Sequence, residues 1–483
     1  MSGILSRPGP RPGILSDGAR LLRSGLATGG VATTNEQFAA WLARCEETVR
    51  ARVERVPLAE LKGWHFTEGY GVLAHDSGKF FSVEGTDITR TGPRTLSWQQ
   101  PLINQPEVGI LGLLAKEFDG VLHFLIQAKV EPGNRRQLQL SPTVQATRSN
   151  YTKVHGGAST PYLEHFLPAG RGRVVADVLQ SEQGTWFLGK RNRNMVVETT
   201  AEVPVRDTFC WLTFGQIRRL MTEPNLINMD SRTVLACLPM AVSGWPDDLV
   251  DDAPDPVYAA GLRRSFQAGG TDGRHTDVEI LSWLNDVRTE TDLRVDRVPL
   301  SALRDWRVSD EEIAHREGKH FKVIGVSVES GRREVAAWSQ PLLAPCDTGV
   351  VAFLTAHVDG VPHILMRASV EPGFRDVVEL GPTVQCNPLN YADAPPERRP
   401  PFLDHVLAAT GTVRYDVVLS EEGGRFHHAE CRYMVVECDD PEALQPPPEF
   451  RWMTARQVLA MRQHSNYLNV QTRSLLACLG SLW

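Results

Sequence analysis

Polar residues of matching type recur in the chain at a constant offset of 240 positions, and they include the groups that acid–base chemistry needs. They are Glu131, Gln145, Asn150, Tyr151 and His165 in the first copy, and Glu371, Gln385, Asn390, Tyr391 and His405 in the second. Carboxyl, imidazole and phenol groups can transfer protons, and amides can orient a ligand by hydrogen bonds. A buried polar side chain needs a partner, which could be either backbone or ligand. Both interpretations stay open at this point.

The two copies differ in charge beside these residues. At four positions the side chain changes: Thr147 to Asn387, Arg148 to Pro388, Ser149 to Leu389 and Lys153 to Asp393. A second group of basic residues is also smaller in the second copy. Arg432 alone remains where the first copy has Lys190, Arg191 and Arg193. Cations beside hydrogen-bond donors suit a phosphate or pyrophosphate group. A solvated charged face is the alternative.

These residues belong to a long stretch that occurs twice. Residues 98–151 (WQQPL…FDGVLHFLIQAKVEPGNR…LSPTVQATRSNY) align without a gap with residues 338–391 (WSQPL…VDGVPHILMRASVEPGFR…LGPTVQCNPLNY), with 24 identities in 54 positions. Ordinary amino-acid usage would give about 3 identities by chance. The chain is therefore a tandem duplication.

Length and composition limit the class of protein. At 483 residues, with 42% hydrophobic and 23% charged residues, the chain is too long for one core and predicts two or more domains. The net charge is −7, and this acidic balance does not indicate the clustered basic surface that a nucleic-acid-binding protein needs. No apolar run reaches the length of a membrane span, and no apolar segment follows the N-terminal arginines as in a secretory signal. The eight cysteines form no CxxC pair, so we expect a reduced, cytoplasmic protein.

Periodicity predicts the elements that position the polar residues. Helical spacing of apolar residues follows capping-box pairs that begin at Thr34 and Thr276, and similar pairs begin at Thr213 and Thr454. Between them the pattern alternates as strands do. Asp-Gly at 119–120 and at 359–360 predicts a hairpin with a type I′ turn. Each half is therefore predicted to be an α+β unit of mostly antiparallel strands with flanking helices.

Composition also predicts the boundaries. Residues 1–33 are rich in Gly, Pro, Ser and Arg, which predicts a disordered or partly ordered tail. Residues 34–239 form the first repeat and residues 276–483 the second. Clusters of Pro, Asp and Gly indicate a linker over residues 240–275.

Signatures of several enzyme classes are missing from the sequence. It contains no GxGxxG that opens a helix after a strand, no Walker A motif and no GxSxG nucleophile elbow. It contains no HExxH, and His123, His155 and His165 lack metal-ligand spacing, so no metal site is predicted. These patterns alone predict a duplicated α+β protein with a polar site in each half.

The repeated motif, from WQQPL through EPGNR to LSPTVQATRSNY, resembles the NDP-hexose 2,3-dehydratase family in both copies. The resemblance extends from about Glu36 to Trp483. It implies two tandem Nudix-like domains, a homodimer and dTDP-4-keto-6-deoxyglucose as substrate. The product would be dTDP-3,4-diketo-2,6-dideoxyglucose, which a downstream 3-ketoreductase would take up in the biosynthesis of deoxysugars for antibiotics. The metal-binding Nudix box has no match, which disfavours magnesium-dependent hydrolysis.

The implied reaction needs a base near C3, an acid near the C2 oxygen and donors for the C4 oxyanion, but no redox cofactor. The candidate acids and bases are Glu131, Tyr151, His65 and His165 in the first half, and Glu371, Tyr391 and His405 in the second. Loops 147–151 and 387–391 are expected to bind the nucleotide, together with Gln145, Gln385 and Arg432. Trp64 and Trp306 are candidates to stack on thymine, with core packing as the alternative.

Two other functions stay open at this point. A degenerate Nudix-like site could hydrolyse the pyrophosphate of a sugar nucleotide. A non-catalytic protein could instead bind the sugar nucleotide as a sensor or a scaffold. The residues themselves do not indicate which half holds the productive site.

Overall fold

The computed structural model describes residues 16–92, 95–147, 160–240, 255–267, 272–330, 337–408, 413–439 and 444–482. Within these residues the chain forms two similar halves that both combine helices with β-sheets, which confirms the predicted α+β class. None of the helices described is both long enough and apolar enough to cross a membrane.

The described part of the first half holds four helices and twelve strands. The helices are α1 (Asp17–Leu26), α2 (Asn35–Thr48), α3 (Phe214–Leu220) and α4 (Met229–Leu235). The strands are β1 (Ala51–Val56), β2 (Trp64–Phe66), β3 (Val72–His75), β4 (Ser82–Thr91), β5 (Leu96–Asn104), β6 (Gly109–Phe118), β7 (Val121–Val130), β8 (Leu138–Ser141), β9 (Val144–Ala146), β10 (Arg173–Ser181), β11 (Arg191–Glu198) and β12 (Phe209–Thr213).

The described part of the second half holds five helices and twelve strands. The helices are α5 (Pro256–Gln267), α6 (Asp277–Thr289), α7 (Leu403–Ala408), α8 (Ala455–Met461) and α9 (Val470–Leu479). The strands are β13 (Asp292–Val298), β14 (Trp306–Val308), β15 (Glu312–His315), β16 (Phe321–Ser330), β17 (Ala337–Pro345), β18 (Gly349–Val358), β19 (Val361–Val370), β20 (Val378–Gly381), β21 (Val384–Cys386), β22 (Val413–Ser420), β23 (Glu430–Cys438) and β24 (Phe450–Thr454).

A seven-stranded mixed sheet lies at the centre of each half. The first has the order β10-β11-β6-β7-β12, with β8 on β7 and β9 on β6, and the second has the order β22-β23-β18-β19-β24, with β20 on β19 and β21 on β18. Only the pairs β6–β11 and β18–β23 of these sheets are parallel. The remaining pairs are antiparallel, as the hairpin signals predict.

Turn and cap chemistry match the sequence patterns. Between β6 and β7, Asp119 has φ 47° and Gly120 has φ 76°, and between β18 and β19, Asp359 has φ 51° and Gly360 has φ 77°. Positive φ at both central residues confirms the predicted type I′ turns. Capping boxes open α2, α3, α6 and α8, as predicted.

Each half contributes one strand to a smaller sheet of the other half. Strand β1 pairs with β16, with Ala51 opposite Ser330. Strand β13 pairs with β4, with Asp292 opposite Thr91. The smaller sheets therefore have the orders β13-β4-β3-β2, with β5 on β4, and β1-β16-β15-β14, with β17 on β16. The two halves are intertwined by this reciprocal exchange.

A second crossing lies where the Glu-Pro-Gly sequence follows β7. The Gly133 N–H donates to the Gly423 carbonyl at 2.8 Å, and the His428 N–H donates to the Gly133 carbonyl at 2.6 Å. A Cβ at Gly133 would overlap the backbone carbonyl of Phe426. Only glycine lets the two backbones approach this closely.

The second copy repeats the crossing with the roles of the two halves exchanged. The Gly373 N–H donates to the Gly184 carbonyl at 2.7 Å, and the Gly189 N–H donates to the Gly373 carbonyl at 2.9 Å.

At the centre of the molecule α4 packs against α9. The inner faces of both large sheets consequently share one hydrophobic core, which includes Phe124 of the first half and Phe353 of the second.

Two helices lie in the stretches that the sequence analysis assigned to a tail and a linker. Helix α1 packs on α3 and β7, and α5 packs on α8 and β19. Their buried faces include Leu21 and Leu22 in α1, and Leu262 and Phe266 in α5. Each half therefore gains one further helix on its large sheet.

We expect Gly133→Ala to lower the free energy of unfolding by at least about 2 kcal/mol, because the new methyl group must displace backbone rather than a flexible side chain. Urea denaturation measures the change. Gly29→Ala is the matched control, since its Cβ would have no neighbour closer than 4.0 Å. Equal stability of the two variants would contradict the close crossing.

Candidate active site

Charged side chains gather on the inner face of the first large sheet, where the two halves meet. This group, named the Glu131 cluster, consists of Lys129, Glu131, Gln145, Glu182, Lys190 and Asp230 from the first half, and Glu422 and Arg425 from the second. The cluster is thus composite, because neither half supplies all of its charges.

Glu131 is 5% exposed and lies at the centre of this cluster. Its Oε1 accepts a hydrogen bond from Gln145 Nε2 at 3.0 Å and is 3.1 Å from Lys129 Nζ. A Cβ at Gly424 would lie 3.4 Å from Glu422 Oε1 and 3.6 Å from Glu131 Oε2. Two carboxylates from different halves therefore flank one glycine.

Burial shifts the pKa values in the Glu131 cluster. It raises the pKa of Glu422 to about 7, against the opposing charge of Arg425. It also raises the pKa of Asp230 well above its usual range, and neighbouring carboxylates add to that shift. Burial lowers the pKa of Lys190 to about 8. Near neutral pH the cluster therefore holds groups that can accept and groups that can donate a proton.

The equivalent position in the second half holds the Glu371 cluster, which consists of Ser181, Glu371, Glu379, Gln385, Asn469 and Arg473. Gln385 Nε2 donates to Glu371 Oε1 at 2.8 Å, and Asn469 Nδ2 donates to Gln385 Oε1 at 2.7 Å. Ser181 Oγ donates to Glu379 Oε2 at 2.5 Å. Burial raises the pKa of Glu371 and raises that of Glu379 to about 8.

Two fully buried arginines connect the halves behind these clusters. Arg232 donates to the Ser420 carbonyl at 2.7 Å. Arg473 donates to Thr233 Oγ1 at 2.6 Å and to the Ser181 carbonyl at 2.5 Å. Each guanidinium thus bonds to an acceptor of the other half, which satisfies a charge that burial would otherwise make costly.

The predicted loop 387–391 lies on the outer face of the second large sheet. It forms a short 3₁₀ turn (Pro388–Tyr391) capped by Asn387. The turn borders a groove of about 300 Å³, whose other walls are Arg399, Leu403, Asp404 and Leu407. Asn390 Oδ1 accepts a hydrogen bond from the His320 N–H at 3.0 Å. Burial raises the pKa of Tyr391, so its phenol keeps the proton at neutral pH.

Strand β21 divides the predicted Gln–Asn–Tyr set between two faces of the sheet. Side chains alternate along a strand, so Gln385 and Cys386 point in opposite directions. Gln385 bonds to Glu371 on the inner face, whereas Cys386 packs against the outer core and lies beside Tyr391. The structure therefore brings Gln385 together with Glu371, and Gln145 with Glu131, but separates Gln385 from Tyr391.

The corresponding loop of the first half is described only at its start. Thr147 is half-buried at the end of β9. Four predicted residues lie outside the described part of the chain: Arg148, Ser149, Asn150 and Tyr151.

The two tryptophans lie in the core that the smaller sheets share. Trp64 is 7% exposed and donates from Nε1 to the Ser339 carbonyl at 2.8 Å. Trp306 is 3% exposed and donates to the Gln99 carbonyl at 2.8 Å. This burial agrees with the core-packing alternative for both rings, and each indole also joins the two halves.

The remaining predicted residues lie apart from both clusters. His65 is exposed on β2, with Nδ1 2.6 Å from Asp76 Oδ1. His165 and His405 lie on short helices that cover the outer faces of the large sheets. Arg432 Nε donates to Asp416 Oδ1 at 2.7 Å in a surface ion pair. Among the residues described, no three or more His, Cys, Asp or Glu side chains are arranged to hold a metal ion.

Several charged residues of these clusters are not among the candidates predicted from the sequence: Glu182, Asp230, Arg232, Glu379, Glu422 and Arg473. A signal for most of them was present, because two further short motifs recur in both halves. Ser-Glu-x-Gly begins at residues 181 and 420, and Asn-x-x-x-Arg begins at residues 228 and 469.

We expect Arg473→Met to lower the free energy of unfolding by about 3–5 kcal/mol, because it leaves buried carbonyl and carboxylate groups without their partner. Thermal and urea denaturation both measure this loss. Arg52→Met is the control, since the Arg52 side chain is 69% exposed and its surface ion pair adds little stability. Unchanged stability of Arg473→Met would contradict the linking role of this arginine.

Comparison with known proteins shows the same duplication. A family model described as NDP-hexose 2,3-dehydratase matches residues 35–238 and again residues 277–479. The chain is 49% identical over 468 residues to the dTDP-4-dehydro-6-deoxy-alpha-D-glucopyranose 2,3-dehydratase of Amycolatopsis orientalis, covering 96% of this chain and 93% of the relative. Relatives of the same name from Saccharopolyspora spinosa and Streptomyces violaceoruber are 48% and 47% identical, covering 95% and 93% of this chain and 93% and 98% of their own length. The chain belongs to the NDP-hexose 2,3-dehydratase family.

Proposed function

We propose that this protein is a lyase that removes the C2 hydroxyl group of dTDP-4-keto-6-deoxy-D-glucose and yields dTDP-3,4-diketo-2,6-dideoxy-D-glucose. The observation that carries the proposal is the similarity to 2,3-dehydratases over more than nine-tenths of both chains. Hydrolysis of the sugar nucleotide is not favoured, because the relatives named are dehydratases.

The reaction requires proton transfers and no external oxidant. The C4 ketone acidifies the C3 hydrogen, and a base removes it, so that its electron pair forms the C3–C4 double bond of an enediolate. The C4 carbonyl then re-forms, a C2–C3 double bond forms and the C2 oxygen leaves as water after protonation. The resulting enol takes up a proton at C2 and becomes the 3,4-diketone. Carbon 3 is oxidised and carbon 2 is reduced within one molecule.

The inner-face clusters supply the acid–base groups for these steps. Glu131 and Glu371 occupy equivalent positions, each beside a glutamine that orients the carboxylate. Tyr391 lies on the outer face and keeps its proton, so it suits donation of a hydrogen bond better than removal of a proton. His65, His165 and His405 lie apart from both clusters and are weaker candidates.

We further propose that each half binds a nucleotide through its own loop, 147–151 or 387–391. The groove beside Tyr391 is then the nucleotide site of the second half and is separate from the acid–base cluster of the first half. The Nudix-like character of each half stays a proposal, supported by the mixed sheet with flanking helices. A homodimer and a downstream 3-ketoreductase are proposed from the family resemblance. A cytoplasmic location is supported by eight cysteines that are all free thiols.

Incubation in deuterated water with dTDP-4-keto-6-deoxyglucose and a 3-ketoreductase tests the reaction. We expect a 2-deoxy product that carries deuterium at C2, because the enol takes its proton from solvent. Mass spectrometry and NMR identify the label. Recovery of the 2-hydroxy sugar would overturn the proposal, and release of dTMP in the presence of magnesium would favour the hydrolase instead.

The variant Leu389→Asp tests the outer-face nucleotide site. Leu389 is 39% exposed beside the groove. A new carboxylate there should raise the Kd for dTDP about fivefold, since two like charges near 4 Å repel by about 1 kcal/mol even in water. Leu389→Asn is the matched neutral control. Equal affinity of both variants, measured by calorimetry, would show that the diphosphate binds elsewhere.

A further inference from the structure

The Glu131 and Glu371 clusters occupy equivalent positions but differ in charge. Both retain a glutamate bonded to a glutamine, Glu131 with Gln145 and Glu371 with Gln385. At five surrounding positions a charged residue of the Glu131 cluster corresponds to an uncharged residue in the second copy: Lys129 to Ser369, Lys190 to Ala429, Asp230 to Gln471, Glu422 to Gln183 and Arg425 to Trp186. Both copies keep the glutamate–glutamine pair, whereas only the first cluster has these five charges, so the fold of the second half forms without them.

The Glu131 cluster also leaves space that the Glu371 cluster fills. Gly424 lies between the carboxylates of Glu131 and Glu422 and has no side chain. At the equivalent position Thr185 lies beside the Glu371 carboxylate. The three atoms nearest to a methyl group added at Gly424 would all be carboxylate oxygens of these two residues, so acidic oxygens line this side of the gap.

Two buried polar atoms near this gap have no hydrogen-bond partner among the described residues. Glu182 is 1% exposed, and its Oε2 has no partner among the described residues, although Asn192 bonds to its Oε1. Asn134 is 4% exposed, and its Nδ2 is also without a partner there. The Asn134 amide lies against Gly423, directly beside Gly424. Buried polar atoms are normally paired, so these two atoms point to a polar ligand.

The four carboxyl groups of the Glu131 cluster are not equally available to such a ligand. Glu131 is paired with Lys129 and Gln145, and Glu182 is buried. Asp230 is 3% exposed and stays protonated because burial raises its pKa. Glu422 is partly exposed and forms one wall of the gap at Gly424.

We infer that Glu422, supplied by the second half, is the base that removes the C3 proton of a 4-keto sugar nucleotide bound at the Glu131 cluster of the first half. This inference rests on the proposed function. The Glu422 carboxylate gains the proton from C3, and the electrons of that C–H bond pass into the C3–C4 double bond while the C4 oxygen becomes an oxyanion. Lys129 and Lys190 lie in the same cluster and stabilise the negative charge that develops.

The charges around Glu422 give this assignment a pH signature. It faces Arg425 on its own loop, Lys190 and Glu182 at the ends of β11 and β10, Asp230 on α4 and Glu131 after β7. The pKa of Glu422 is about 7, raised by burial. The carboxylate is therefore the minor form below that pH and the major form above it. Activity should rise with pH through about 7, on one proton.

Steady-state kinetics of full-length variants test the assignment, with the 2-deoxy product measured after the 3-ketoreductase step. Glu422→Gln keeps the size of the side chain but cannot accept the proton, so kcat should fall at least about 100-fold. Its Kd for dTDP should change less than about twofold, and the rise of activity with pH through about 7 should disappear. Glu422→Asp should recover part of kcat and retain a rise of activity with pH. Gln183→Ala, at the equivalent position of the other cluster, is the matched control and should keep kcat within about threefold.

The possible results test the proposed function and the role of Glu422 separately. No 2-deoxy product from the unaltered protein would overturn the proposed function itself. An active unaltered protein with a Glu422→Gln variant that keeps its kcat and its rise of activity with pH would overturn only the role of Glu422. If Glu422→Gln does not fold, as judged by thermal unfolding, Glu422→Asp decides, and a pH profile identical to that of the unaltered protein at full kcat would count against the assignment. Equal losses in Glu422→Gln and Gln183→Ala would indicate a structural effect and would also overturn it.

Discussion

The close backbone crossings at Gly133 and Gly373 are the constraint on which the rest of the structure depends. At each crossing a glycine from one half is bonded between two residues of the other half, with no room for a side chain. The crossings bring the inner faces of the large sheets together, and the exchanged strands β1 and β13 then complete sheets that belong to the opposite half. Neither half can bury its core without the other, because the exchanged strand and the shared core both come from its partner.

This mutual burial explains why the molecule tolerates so many charges in its interior. Arg232 and Arg473 are fully buried, but each bonds to a carbonyl of the opposite half, Ser420 or Ser181. Buried ion pairs rarely stabilise a fold by themselves, yet removal of one partner is costly. The polar clusters therefore fix how the halves align, and that alignment in turn fixes the positions of the buried carboxylates. Function and assembly of the halves rest on the same contacts.

Local chemistry was predictable from the sequence, whereas contacts between the halves were not. Asp119-Gly120 and the threonine caps have direct backbone consequences, so turns and helix starts were found in the right places. The alternating pattern of β1 is the same whichever strand it pairs with, so the exchange left no signal. Alternation along β21 also separates Gln385 from Tyr391, two residues that look like one motif in the sequence.

Fusion of two equivalent halves into one chain allows their sites to diverge. In a symmetric dimer of identical subunits, each substitution appears in both sites, so a charge needed in one is imposed on the other. Here Glu422 faces the Glu131 cluster, while its counterpart Gln183 bonds to Glu421. One position can therefore gain an acid without placing a second unpaired acid in the other interior, where desolvation would be costly. The duplicated fold keeps its interlocking glycines twice, because both halves need them, whereas the acids Glu422 and Asp230 occur once, with Gln183 and Gln471 at the equivalent positions.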